Sequence, residues 1–161
     1  MKKLEILTGS ENPILRAKAG KISVFDAKLK ALASAMKKTM KESNGLGLAA
    51  PQIGKSIRMF TMIYNFKQKD ETVLTVINPE ILAVSEDLCI DDEGCLSLPG
   101  IWKKVKRPCE IQVKFYDING ALMKMTLSGL NAREFLHEND HLDGVLFIDR
   151  VEERVFEAGR D

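Results

Sequence analysis

Between Asp26 and Ser43 the apolar residues Leu29, Leu32, Ala33, Met36 and Met40 recur at helical spacing, while Lys28, Lys30, Lys37 and Lys38 mostly fill the other face. The pattern predicts an amphipathic helix with Asp26 as its cap. From Ile57 onward the chain changes to short runs: Ile57 to Tyr64, Val73 to Asn78, Ile111 to Asp117 and Leu122 to Leu127. These read as strands, and Asn119-Gly120 joins the last two as a tight hairpin. Ser128 is placed to cap a second helix from about Gly129 to His141, with Leu130, Phe135 and Leu136 as its buried side and Asp143-Gly144 as its end. Helices towards both ends with antiparallel-type strands between them indicate an α+β fold rather than an alternating parallel one.

The chain of 161 residues has no internal repeat, no low-complexity segment and no linker, so a single domain over residues 1–161 is expected. With 24 basic and 23 acidic side chains, total charge points to neither DNA nor a membrane surface as partner. Leu4 to Gly9 is interrupted by Glu5, so the start lacks the apolar core of a signal peptide, and no run is long enough to span a membrane. Cys89, Cys95 and Cys109 form an odd set without a C-x-x-C pair, which suits a reducing compartment better than a disulfide framework. A cytoplasmic location of bacterial type, or an organelle of bacterial origin, is the expectation. Nothing in the sequence marks an oligomer, and monomer is the default.

The chemistry concentrates in His137-Glu138-Asn139-Asp140-His141, which holds both histidines of the chain. On a helix, positions i and i+4 project from one face, so two imidazoles can grip one divalent ion while Glu138 stands beside its open position to move protons. Catalytic sites of this kind take three protein ligands, so a third is needed. The cysteines are the soft candidates. Cys89 and Cys109 look like small apolar fillers, while Cys95, in Glu93-Gly94-Cys95-Leu96-Ser97, reads equally as a buried thiol beside a turn or as a ligand. Gly94 there lets backbone come close to a metal. The stretch Gly45 to Gly54 is either a flexible connection or a place where an extended substrate lies on exposed backbone, with Gln52 as an amide donor to an oxyanion. It lacks the spacing of a phosphate loop.

Together these segments resemble the peptide deformylase family. Its motifs, with φ for an apolar residue, are G-φ-G-φ-A-A-x-Q, E-G-C-φ-S and H-E-x-D-H; here they stand as Gly45 to Gln52, Glu93 to Ser97 and His137 to His141. The resemblance runs from about Leu7 through Ile148, and Asn78-Pro79-Glu80 and Arg107 also match. It implies an α+β fold whose sheets pack around a central metal-binding helix. It also implies a hydrolase that removes the N-formyl group from formyl-methionine of nascent polypeptides. Cys95, His137 and His141 would be the metal ligands. The ion would be ferrous iron, replaceable by zinc, nickel or cobalt. Glu138 would carry protons, and Gln52 with the backbone N–H of Leu96 would hold the oxyanion. Substrate would meet Gly45, Leu46, Gly47, Leu48, Glu93, Gly94, Leu130 and Glu134, pairing its backbone with an edge strand and placing methionine in an apolar pocket. Arg107 and Asp140 are either charges that fix the ligand helix or ordinary surface charges.

Some positions depart from the family. Leu136 stands where Gln is usual, Asn139 where an apolar residue is usual, and Glu134 on the pocket side of the helix where the family more often has an apolar residue. Trp102 reads as core or as pocket rim. The tail after Val151 is short, so ribosome docking through a long terminal helix is not assured. Alternatives are a zinc endopeptidase, against which Cys95 argues, and a deformylase-like protein with altered substrate preference or lost turnover.

Overall fold

The computed structural model describes residues 1–151. The tail from Glu152, on which the ribosome-docking expectation bears, lies outside the described residues. A single helical turn, α1 (Pro13–Arg16), precedes the first long helix, α2 (Ala27–Glu42). Asp26 caps α2 as its sequence predicts: Oδ1 accepts from the Leu29 N–H at 2.9 Å, satisfying one of the free donors of the first turn.

Five strands form an antiparallel sheet: β1 (Gly47–Ala49), β2 (Met59–Tyr64), β3 (Thr72–Val84), and, after an intervening ribbon, β6 (Glu110–Tyr116) and β7 (Leu122–Ser128). Their spatial order is β1-β2-β3-β6-β7, which leaves β1 at an edge. The ribbon is a separate two-stranded sheet of β4 (Leu88–Cys95) and β5 (Leu98–Pro108). The last helix, α3 (Gly129–Leu142), starts after Ser128 as expected, although the Ser128 side chain makes no capping bond. The α+β class with antiparallel sheets thus holds. No helix among the described residues is long and apolar enough to cross a membrane.

Strand β2 explains the layering, because it is apolar on both faces. Met59 and Ile63 face the cluster formed with Leu29, Ala33, Met36 and Met40 of α2, while Phe60 and Met62 face the cluster formed with Ala132, Phe135 and Leu142 of α3. The alternation of a strand therefore sends successive residues into two cores, one on each side of the sheet. Phe135 is the centre of the second core, meeting Phe60 edge-on at 5.1 Å and Phe115 at 6.1 Å between ring centroids. Each such fully buried large side chain contributes roughly 1.5–3 kcal/mol through burial alone.

A bulge in β3 ties down the N-terminal segment. Asn78 has a φ of 50° and exchanges two hydrogen bonds with the Ile22 backbone, at 2.9 and 2.7 Å. The register against β6 shifts at this point, between Ile77 and Glu80.

The structure corrects the sequence reading of two cysteines. Cys89 and Cys109 are not apolar fillers but a disulfide, with Cα atoms 5.1 Å apart. The ribbon causes this: in its register Leu88 opposes Pro108 and Cys89 opposes Arg107, which brings Cys109 diagonally beside Cys89. Cys95 is the free cysteine. Trp102 is rim rather than core, 69% exposed on β5 with its ring lying over Gly94.

Candidate active site

Helix α3 presents Arg133, His137, Glu138, Asp140 and His141, all buried, away from the sheet core that takes Phe135. The ribbon closes over this polar side. Cys95, the last residue of β4, brings its Sγ to 3.3 Å from His141 Nε2, and one donor atom from each of Cys95, His137 and His141 lies within 4.8 Å of the others. Ligands bound about 2.0–2.3 Å from one ion stand at such separations, so the thiol and two imidazoles fit a divalent metal.

Charge around the triad favours a cation. Burial drives the His141 pKa well below its ordinary value, reinforced by His137, so this ring is neutral and offers a lone pair. Burial alone would also lower His137, but hydrogen bonds to Cys95 and Glu93 push it well above the usual range. His137 Nδ1 sits 2.9 Å from Glu93 Oε1, which orients the ring with Nε2 toward the cleft.

Glu93 is the hub of this support. Burial would raise its carboxyl, yet hydrogen bonds from Arg107 and His137 hold it down at about 2. Arg107 donates to both Glu93 oxygens, at 2.6 and 2.8 Å, and to Asp140 Oδ2 at 3.0 Å. Arg150 donates to Asp140 as well. Arg107 is 5% exposed, so it is no ordinary surface charge, and neither is Asp140. Glu93 lines the cleft but spends both oxygens inside the protein. Sequence reasoning missed Arg133, which donates to Glu93 Oε2 at 2.6 Å and to the carbonyls of Val105 and Cys89 at 2.9 Å each. Its signal was its place one turn before His137, a cation on the same helix face.

Gln52 is 1% exposed, in a tight helical turn, Ala50–Ile53, that follows β1. Its orientation is forced, because Oε1 accepts from the Ala49 N–H at 2.8 Å. Nε2 therefore faces the site, 3.1 Å from Ser97 Oγ and 3.5 Å from Cys95 Sγ. Leu96 lies in the turn between β4 and β5, against the same cleft.

Gly47 and Gly94 allow close approach. A Cβ on Gly47 would collide with the Glu138 carboxylate, and one on Gly94 would meet the Trp102 ring at 2.8 Å. Glu138 Oε1 is 4.0 Å from His137 Nε2, and its Oε2 is buried with no hydrogen-bond partner among the described residues. Burial pushes this carboxyl up to about 8 against the lowering pull of His137.

A cleft of about 400 Å³ brings together Gly45, Leu46, Gly47, Gln52, Glu93, Gly94, Cys95, Leu96, Leu130, Glu134, His137 and Glu138. Leu48 is not among them; it is fully buried in the core beneath α2. Of the departing residues, Leu136 packs against the core on the Phe135 side, and Asn139 buries an Oδ1 that has no hydrogen-bond partner among the described residues.

The chain shares its sequence pattern with known proteins. It is 44% identical over 147 residues to the peptide deformylase of Dictyoglomus thermophilum, covering 91% of this chain and 92% of that one. The chloroplast peptide deformylase 1B of rice is 40% identical over 153 residues, 93% of this chain. The chain spans little more than half the length of such plant relatives, 56% for the rice protein and 55% for its Arabidopsis thaliana counterpart. The crystal structure of the Thermotoga maritima peptide deformylase superposes with a TM-score of 0.87 at 39% identity, covering 94% of this chain and 99% of that one. The polypeptide deformylase family model matches residues 3–157, and the chain belongs to that family.

Proposed function

We propose that the protein is a metal-dependent hydrolase that releases formate from the N-formyl-methionine of nascent polypeptides. The observation that carries this reading is the convergence of Cys95, His137 and His141, with Glu138 and the Gln52 amide aimed at the same point. In this reading the domain is single and α3 is its central metal-binding helix. Cys95, His137 and His141 would hold one divalent ion, for which family resemblance favours ferrous iron, while zinc, nickel or cobalt would suit the same donors. Such an ion supplies Lewis acidity, acidifying a water and polarising the formyl carbonyl.

The protein's own groups perform the proton and charge work. Glu138, whose carboxyl holds or releases a proton near neutral pH, takes the proton from the attacking water and gives it to the leaving amine. Gln52 Nε2 and the Leu96 N–H hold the developing oxyanion. The open edge of β1, with Gly45 before it, pairs with the substrate backbone, which makes recognition tolerant of downstream sequence. Glu93, Arg107 and Asp140 keep the ligand helix and the ribbon in register.

The test is formate release from a formyl-Met peptide by anaerobically purified protein beside Glu138→Ala. Release that falls at least about a hundredfold in the variant, at unchanged metal content, is expected. No release from the metal-loaded wild type would overturn the reading.

A further inference from the structure

The cleft contains acidic groups that the proposed chemistry does not use, and of these Asp91 and Asp92 lie exposed on the ribbon while Glu134 lies on the site helix. Along α3, Leu130, Glu134 and Glu138 follow at intervals of four, so Glu134 sits between an apolar rim residue and the proton carrier. Leu46, Ile101 and Trp102 line the same cleft. Among the described residues the Glu134 carboxyl makes no hydrogen bond and no ion pair. The neighbouring cations are engaged elsewhere: Arg107 with Glu93 and Asp140, Arg133 with Glu93 and two backbone carbonyls.

An unpaired carboxyl beside the apolar Leu46, Ile101, Trp102 and Leu130 constrains what can cover it. A purely apolar side chain laid over it removes water from the oxygens and returns nothing. A side chain ending in an N–H donor satisfies them. The carboxyl is expected to raise the ratio between two such ligands of equal length by about tenfold to a hundredfold.

We infer that Glu134 widens side-chain specificity in this cleft beyond methionine, raising acceptance of formyl peptides whose first side chain ends in an N–H donor relative to isosteres that end in a methyl group. The inference rests on the deformylase reading and adds to it a substrate class. Gln against Met and Lys against norleucine are the matched pairs, since each compares a donor with an apolar end at similar length.

The experiment measures kcat/KM for four formyl peptides, beginning with Gln, Met, Lys and norleucine, using metal-loaded wild type, Glu134→Leu and Glu134→Gln. The Lys-to-norleucine and Gln-to-Met ratios are expected to fall about tenfold or more from wild type to Glu134→Leu. Glu134→Gln, which keeps the acceptor but loses the charge, should retain the wild-type Gln-to-Met ratio and lower the Lys-to-norleucine ratio. Ratios unchanged in Glu134→Leu would overturn the inference while leaving deformylation intact. Should that variant not fold, a Lys-to-norleucine ratio that does not fall in Glu134→Gln overturns it equally. Absence of turnover on all four peptides by wild type removes the deformylase reading, and this inference with it.

Discussion

Glu138 fits behind the edge strand because residue 47 has no side chain. One member of the glycine stretch, Gly47, thereby makes room for the buried Glu138 carboxylate. Gly47→Ala is expected to displace the carboxylate and lower formate release about a hundredfold while metal content, read by elemental analysis, stays at the wild-type level. Gln52 makes a second prediction at this scale. Gln52→Ala removes the amide aimed at Cys95 and Ser97, so kcat should fall about a hundredfold to a thousandfold. Both histidines, Glu138 and Gln52 were legible in the sequence because their spacing encodes a local geometry. Arg133 and the fixed rotamer of Gln52 were not, since their partners are Glu93, Val105, Ala49 and Ser97, set by the meeting of separate elements.

At the scale of elements, periodicity served where one face is buried. Helices α2 and α3 and strands β2, β6 and β7 appear close to their expected limits, and β3 runs on to Val84 past the expected Asn78. The β4–β5 ribbon gave no such signal, because most of its residues, including Ile90, Asp91, Asp92, Lys103 and Lys104, are exposed and carry no hydrophobic alternation. Its disulfide was hidden for the same reason, as only the strand register brings Cys89 and Cys109 together. That bond joins residues 20 apart, and in the chain-entropy view closing a loop of this size stabilises by about 3 kcal/mol. Cys89→Ser with Cys109→Ser should therefore lower the denaturant midpoint by a corresponding amount. The ribbon's anchor predicts a pH dependence. Glu93 titrates at about 2 when folded against 4.5 otherwise, so its stabilisation is complete above about pH 4.5 and is lost as pH falls toward 2. On the order of 3 kcal/mol is at stake over that window. Urea titrations at about pH 5 and 3 should show a steep loss in wild type that is flatter in Glu93→Gln, which starts from lower stability because Arg107 and Arg133 lose their counter-charge.

For the whole molecule, the five-stranded sheet holds one helix on each face, and the site sits where the second of these helices meets the ribbon. Phe135→Ala opens the core beneath the site and should cost about 3–5 kcal/mol, measured as a fall in Tm with Cys95, His137 and His141 intact. The ring closed by Cys89 and Cys109 encloses Glu93, Cys95 and Arg107, so one member of the candidate metal triad and the ion pair that supports the site belong to one covalent loop. A practical conflict follows. A reductant added to preserve the free Cys95 sulfur also opens that loop, whereas an oxidant that keeps the loop closed attacks that sulfur. Purification chemistry thus selects which of two proteins is assayed, and metal loading is comparable between preparations only when the state of this loop has been fixed.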